Sequence, residues 1–155
     1  MPPADLTTRR CPADTPPAVG LVDAMVSEME PLYGRIDVPE APSASAQDMW
    51  APRGSFLVVL RGEVPIACGG IKPLDETACE IKRMFVVPAE RGKGVAGFLL
   101  TALEDEARAL GFSLARLDTG AKQPHAQQIY EAAGYRPIGN FNANPFASFW
   151  GEKAL

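Results

Sequence analysis

The segment 91–97 constrains this chain more than any other, because it joins a strand pattern to a helix pattern through glycines at 92, 94 and 97. Glycine lets backbone N–H groups approach a ligand closely. A helix N-terminus adds partial positive charge, and the side chains of Arg91 and Lys93 add full charges. The turn therefore predicts a site for a phosphate-bearing ligand, with an ordinary exposed loop as the alternative.

Three strand patterns precede this turn and predict a meander. Residues 56–60 form a short apolar run, 65–72 begin a second strand, and 77–87 form a third that Pro88 ends. The turn at 61–63 joins the first two strands as a hairpin. Residues 51–97 also carry seven basic and five acidic side chains, which favours this part of the chain for an anionic ligand.

Helix and strand patterns alternate after the turn. Apolar residues at 95, 99, 103, 107 and 110 predict a helix that Gly111 ends. Further strands are predicted at 114–117, 136–140 and 147–153, and a further helix over 126–133, with Gly134 as its cap.

The first 52 residues hold nine of the fifteen prolines, which predicts short elements joined by loops. Residues 5–10 predict an opening strand. Pro16 and Pro17 are suitable first-turn residues for a helix that runs to about Tyr33. Residues 36–52 predict a loop with one helical turn.

Composition excludes several classes of protein. A chain of 155 residues with 46% hydrophobic and 22% charged residues predicts one soluble domain over residues 1–155. The apolar runs are too short to span a bilayer and no signal-peptide pattern opens the chain, so we expect a cytoplasmic protein without a membrane partner. The net charge of -4 argues against a nucleic-acid partner. Three cysteines and one histidine do not form a zinc-binding pattern, so no metal is expected.

Known nucleotide motifs compete for the glycine turn. A Walker A loop is absent, because Gly-x-x-x-x-Gly-Lys-Ser/Thr does not occur. Gly92, Gly94 and Gly97 satisfy G-x-G-x-x-G, and Asp118 ends a strand about 20 residues later, as in a dinucleotide site. The preceding meander and the four residues between strand and first glycine disfavour it. An NAD(H)-binding oxidoreductase nevertheless stays open as an alternative.

Two segments together indicate a different family. They are Arg91-x-x-Gly94-x-Ala96, preceded by a strand, and Ala126-x-x-x-Tyr130-x-x-x-Gly134-Tyr135. The first resembles motif A of the GNAT superfamily of N-acetyltransferases, with the pattern Gln/Arg-x-x-Gly-x-Gly/Ala. The second resembles another signature of that superfamily. The resemblance covers about residues 55–135 and is faint before residue 55, where such proteins vary with their acceptor.

The resemblance implies an α/β fold and acetyl-CoA as cosubstrate. The fold is a strongly twisted, mainly antiparallel sheet of six to seven strands flanked by about four helices, splayed between the motif A strand and the strand at 114–117. Gln123 stands where the family often has Asn, so a side-chain amide is retained. The coenzyme-binding residues implied are Phe85, Val86, Val87, Arg91, Gly92, Lys93, Gly94, Val95, Ala96 and Gln123.

The resemblance also implies the reaction: direct transfer of an acetyl group to a primary amine of a small molecule or peptide. Tyr130 stands where the family has a tyrosine that protonates the coenzyme sulfur, although periodicity alone reads it as a core aromatic. Glu80 lies where some members carry a general base. Its alternative is a solvated strand residue paired with Lys82 or Arg83.

The acceptor is not specified by the sequence. Acidic residues before residue 55 favour a cationic amine, and a solvated charged face is the alternative. A non-catalytic acyl-CoA sensor is a further hypothesis, and a homodimer is compatible with the sequence. The residues in the expected acceptor region are Glu28, Glu30, Tyr33, Asp37 and Glu40.

Separate titrations with acetyl-CoA and NADH distinguish the two readings of the glycine turn. We expect acetyl-CoA to bind and NADH not to bind, because the turn is too far from its strand for a dinucleotide site. Isothermal calorimetry measures both. Binding of NADH alone would contradict the coenzyme A interpretation.

Overall fold

The computed structural model describes residues 5–34 and 45–155 and contains one seven-stranded sheet of order β1-β2-β3-β4-β5-β7-β6. Neighbouring strands are antiparallel except β4 and β5, which are parallel. The strands are β1 Leu6–Arg10, β2 Ser55–Arg61, β3 Val64–Pro73, β4 Ala78–Val86, β5 Leu114–Thr119, β6 Arg136–Pro137 and β7 Phe149–Ala154. The predicted α/β class, the strand number and the mainly antiparallel sheet are confirmed.

Three α-helices lie among the described residues, where about four helices were expected. They are α1 Ala18–Tyr33, α2 Val95–Ala109 and α3 Pro124–Ala132, and two short 3₁₀ turns lie at Gln47–Met49 and Pro88–Glu90. The predicted strand at 136–140 keeps only its first two residues, although the Ile138 N–H still donates to the Trp150 carbonyl oxygen of β7 at 2.8 Å. The residues at 37 and 40 fall outside the described part of the chain.

The helices cover opposite faces of the sheet. The apolar stripe of α2, which includes Leu99 and Leu103, is buried against strand residues such as Ile71 and Leu117. Residues of α1 bury a second cluster on the other face: Ala18, Leu21 and Val22 pack with Phe56, Val58, Cys68 and Phe85. The sheet is thus buried on both faces near β2 and β3, which explains their continuous apolar runs.

The parallel strands β4 and β5 stay together only briefly. They pair over three positions, from Ala78 with Leu114 to Glu80 with Arg116, and separate beyond these along their described lengths. α2 connects them, since parallel neighbours need a crossover rather than a hairpin. The predicted splay between the motif A strand and the next one is therefore confirmed.

A β-bulge lies in β4 just past the end of the parallel pairing. Cys68 pairs with Phe85 while Gly70 pairs with Lys82, so one β3 residue faces two residues of β4. At this bulge the backbone of Arg83 has a φ of 58°, a value that residues other than glycine rarely adopt. The extra residue re-aims the rest of β4 toward the gap beside β5.

No helix in the part of the chain that the structure describes is long and apolar enough to cross a membrane.

Substitution of Gly70 by alanine tests the packing between the sheet and the turn at Gln47–Met49. A methyl group there would overlap buried atoms of Met49 and Phe56. We expect Gly70→Ala to lower the free energy of unfolding by about 1–3 kcal/mol, the usual cost of overpacking a core. Denaturant unfolding measures it.

Gly20→Ala is the matched control. Gly20 lies within α1, and a methyl group there meets no atom within 4 Å. We expect this variant to be more stable by about 0.4–1 kcal/mol, because alanine has less conformational freedom in the unfolded chain. Equal destabilisation by both variants would contradict the packing argument.

Candidate active site

The turn between β4 and α2 has the geometry of an anion site. Gly92 and Gly94 have φ values of 77° and 81°, so both adopt the left-handed backbone that glycine permits. Gly94 caps α2, whose first turn contains no acidic residue and no side-chain cap. The initial N–H groups of α2, including those of Val95 and Ala96, therefore remain available to an acceptor such as phosphate.

The two cations of the turn differ in their surroundings. The Arg91 guanidinium donates to the Val86 carbonyl oxygen at 2.9 Å and to Glu28 of α1 at 2.7 Å. It also lies 5.6 Å from the centre of the Phe85 ring. Lys93 is more exposed and lies 4.0 Å from Glu90. In this structure Arg91 thus ties α1 to the end of β4, while Lys93 faces solvent.

The dinucleotide alternative lacks a structural requirement. In such sites the third glycine permits close packing of helix and strand. A methyl group built at Gly97 meets no atom within 4 Å, so no close packing demands glycine there. The Asp118 carboxylate accepts hydrogen bonds from Asn142 and Asn144 at 2.6 and 3.1 Å.

The backbone of β4 beyond the bulge faces the gap between β4 and β5. The Val87 N–H donates to the Ile66 carbonyl oxygen of β3 at 2.9 Å. Because hydrogen bonds alternate along an antiparallel strand, the Val86 N–H points to the opposite edge, beside the gap. The predicted coenzyme contacts at Phe85, Val86 and Val87 stay predictions, and Val86 has the suitable orientation.

Tyr130 of α3 is buried next to the bulge. Its side chain is 8% exposed, and its hydroxyl group donates to the Met84 sulfur at 3.7 Å. Burial raises the pKa of Tyr130, and the negative charge of Asp118 raises it further. The phenol therefore keeps its proton across the neutral pH range. A buried, protonated hydroxyl group beside the gap can serve as a proton donor.

Glu80 is buried at the last residue pair between β4 and β5, beyond which these strands separate. It is 2% exposed, so it is not solvated, but the pairing with Lys82 that the alternative also predicted is present. Its carboxylate accepts hydrogen bonds from Lys82 at 3.2 Å and from the Asn142 side-chain amide at 2.9 Å. Asn142 also donates to Asp118, so one amide joins the two carboxylates.

Gln123 lies at the start of α3 and contacts the end of α1. Its Oε1 atom accepts a hydrogen bond from the Tyr33 hydroxyl group at 3.5 Å. The same hydroxyl group accepts a hydrogen bond from the Lys122 backbone N–H at 3.1 Å, and the Tyr33 side chain packs directly over Gly120. The expected acceptor residue Tyr33 and the expected coenzyme residue Gln123 are therefore neighbours.

Two of the predicted residues, Tyr130 and Glu80, lie near Asp118. This carboxylate acts on the pKa of Tyr130 and shares Asn142 with Glu80. Sequence reasoning assigned Asp118 only to the dinucleotide alternative and missed Asn142. The polar run Gly139-Asn-Phe-Asn-Ala-Asn144 was the available signal, because clustered asparagines indicate a loop with side-chain hydrogen bonds.

Within residues 5–34 and 45–155, no group of three or more histidine, cysteine or acidic side chains is arranged to hold a metal ion.

Comparison with known proteins assigns the chain to a family. The sequence model of the Acetyltransferase (GNAT) family matches residues 22–135, well over half of the chain. The chain therefore belongs to the GNAT acetyltransferase family, as the two sequence signatures implied.

Individual relatives agree with this assignment. An IAA acetyltransferase of Azospirillum brasilense is 36% identical over 143 residues, which cover 87% of this chain and 93% of the relative. A Klebsiella pneumoniae structure, provisionally described as an acyl-CoA N-acyltransferase, is 26% identical, has a TM-score of 0.79 and covers 99% of both chains. A GNAT family acetyltransferase of Elizabethkingia anophelis, solved with acetyl-CoA bound, shares the fold with a TM-score of 0.70 at 18% identity, over 99% of this chain and 100% of that one.

Alanine substitutions of Gly94 and Gly97 distinguish the geometry of the turn from its composition. An L-residue in the left-handed region costs about 1–2 kcal/mol, so we expect the turn of Gly94→Ala to relax in the free protein. The ligand would then have to restore the strained turn, which should weaken acetyl-CoA binding about 5- to 30-fold. Gly97→Ala is the matched control, since that position has ordinary φ and open space. Calorimetric titration measures both, and an equal loss for the two variants would contradict this account.

Proposed function

We propose that this protein transfers an acetyl group from acetyl-CoA directly to a primary amine, with residues 1–155 acting as a single domain and without a metal. The observation that carries the proposal is the gap between β4 and β5, with a buried tyrosine and a buried carboxylate beside it. Membership of the GNAT acetyltransferase family supports the acyl transfer itself.

The coenzyme would lie along the gap with its phosphates on the turn before α2. Support comes from the N–H groups of residues 92–96, the glycine backbone at Gly92 and Gly94, and the exposed Lys93. Arg91 contributes through its backbone at the turn, because its side chain is engaged by Glu28. Gln123 offers a side-chain amide to the coenzyme arm from the start of α3.

Three groups of this chain match the needs of acetyl transfer. Glu80 accepts a proton from the acceptor ammonium group, directly or through water, which makes the amine nucleophilic. The amine attacks the thioester carbonyl, and the Val86 N–H stabilises the negative charge on its oxygen. The carbon–sulfur bond breaks as Tyr130 donates its proton to the sulfur, and the nitrogen, which becomes an amide, releases its second proton to solvent. Solvent then returns a proton to Tyr130 and removes one from Glu80.

A cationic small molecule or peptide amine is the acceptor class we favour. Its ammonium group would be attracted by the carboxylates of Glu80 and Asp118 at the gap. The relative from Azospirillum brasilense is named an IAA acetyltransferase. The panel of test acceptors should therefore include IAA together with amines, amino acids and peptides.

Replacement of Tyr130 by phenylalanine tests the proposed acid. With the amine that gives most turnover, we expect Tyr130→Phe to lower kcat about 10²- to 10⁴-fold, because the departing thiolate loses its proton donor. Thiol release from acetyl-CoA measures turnover, and calorimetry checks that coenzyme binding persists.

The matched control is Tyr135→Phe, which removes the hydroxyl group of a buried tyrosine that bonds Glu104 instead. An unchanged kcat in Tyr130→Phe would exclude Tyr130 as the general acid. Coenzyme binding by the wild type without turnover on any acceptor would favour an acyl-CoA sensor.

A further inference from the structure

The side-chain amide of Asn142 bridges two carboxylates from neighbouring strands. Its nitrogen donates to Glu80 Oε2 of β4 at 2.9 Å and to Asp118 Oδ2 of β5 at 2.6 Å. An amide NH₂ group has two hydrogens, so each carboxylate receives one. The two oxygens lie less than two hydrogen-bond lengths apart, where their negative charges would otherwise repel each other directly.

The orientation of this amide is fixed by other donors. The Trp150 indole N–H donates to Asn142 Oδ1 at 3.0 Å, and the Asn144 backbone N–H donates to the same oxygen at 3.1 Å. Both groups can only donate, so the amide oxygen must face them. The amide nitrogen is consequently directed at the carboxylates.

We propose that Asn142 is a positioning residue for acetyl transfer, which holds the Glu80 carboxylate in place by bridging it to Asp118. This inference rests on the proposed function, in which Glu80 is the general base. A base can accept a proton only in its ionised form. A second carboxylate nearby opposes ionisation, while hydrogen bonds to the charged form favour it. Asn142 supplies such a bond to both groups at once.

Other charged groups around Glu80 set the balance in which the bridge acts. Lys82 of β4 lies 3.2 Å away. Lys72 of β3 and Arg116 of β5 are its directly paired neighbours across the sheet, and Arg116 is bonded to Glu152 of β7 at 2.8 Å. These cations attract the Glu80 carboxylate, and the carboxylate of Asp118 repels it. Asn142 offsets the opposing charge.

Two substitutions should move the pH dependence in opposite directions. Asn142→Ala removes the bridge but leaves both carboxylates, so the acid limb of kcat/KM should move up by about one pH unit. This lowers kcat/KM about tenfold at pH values below the limb. Asp118→Asn removes the repelling charge, so the limb should move down. A purely structural role would not produce opposite shifts.

The pH profiles are measured at saturating acetyl-CoA with one and the same acceptor. The titration of that acceptor is then common to all variants. The Glu80 side-chain carboxyl carbon is also titrated by ¹³C NMR in the same variants, which requires no acceptor. Asn144→Ala is the matched control: it removes a bond to Asp118 from the same loop but none to Glu80. We expect it to move the limb less than half as far as Asn142→Ala.

Trp150→Phe provides a second test if Asn142→Ala does not fold. It keeps an aromatic ring but removes one of the two donors that orient the amide, so the acid limb of kcat/KM and the NMR titration midpoint of Glu80 should both move up. Unmoved midpoints in the folded variants, with Glu80→Gln inactive, would overturn the bridge and leave the proposed function intact. Wild-type turnover by Glu80→Gln would overturn both, since Glu80 would then not be the base.

Discussion

The short parallel pairing of β4 and β5 is the constraint on which the rest of the site depends. The two strands share three residue pairs and then separate, so the sheet opens in its interior. A sheet edge inside a domain exposes backbone groups that need partners. The bulge at Arg83 directs the end of β4 toward this opening, and α2 starts directly behind it. The fold thereby creates the gap between β4 and β5 in which the coenzyme is proposed to lie.

The two ends of this gap carry different charged groups. The start of α2 carries glycines and no carboxylate, which favours a phosphate. The other end holds the carboxylates of Glu80 and Asp118 and the asparagines of the loop before β7. In the proposed reaction, the coenzyme and the acceptor would meet near Tyr130, whose raised pKa keeps its proton available. The difference between the two ends supports the proposed acetylation of an amine.

Local sequence was sufficient for the elements that local chemistry determines. The helix from Val95 to Ala109 followed from apolar periodicity. The turn at Gly92 and Gly94 followed from glycines that lie between a strand pattern and a helix pattern, and both glycines adopt left-handed backbone in the structure. Periodicity also placed Tyr130 on a buried face, but only the spacing of two signatures suggested a role for it. The strand at 136–140 was overestimated, because β propensity does not reveal where a partner strand ends.

The sequence alone determined the class of the fold, the glycine turn before α2 and the family, because these depend on short-range patterns that survive without knowledge of contacts. The tertiary structure decided which polar residues meet. Glu80, Asp118 and Asn142 are separated by tens of residues, and only the register of β4 with β5 and the return of the loop before β7 bring them together. Contacts of that range depend on how strands pair across the sheet, and no local pattern encodes that pairing.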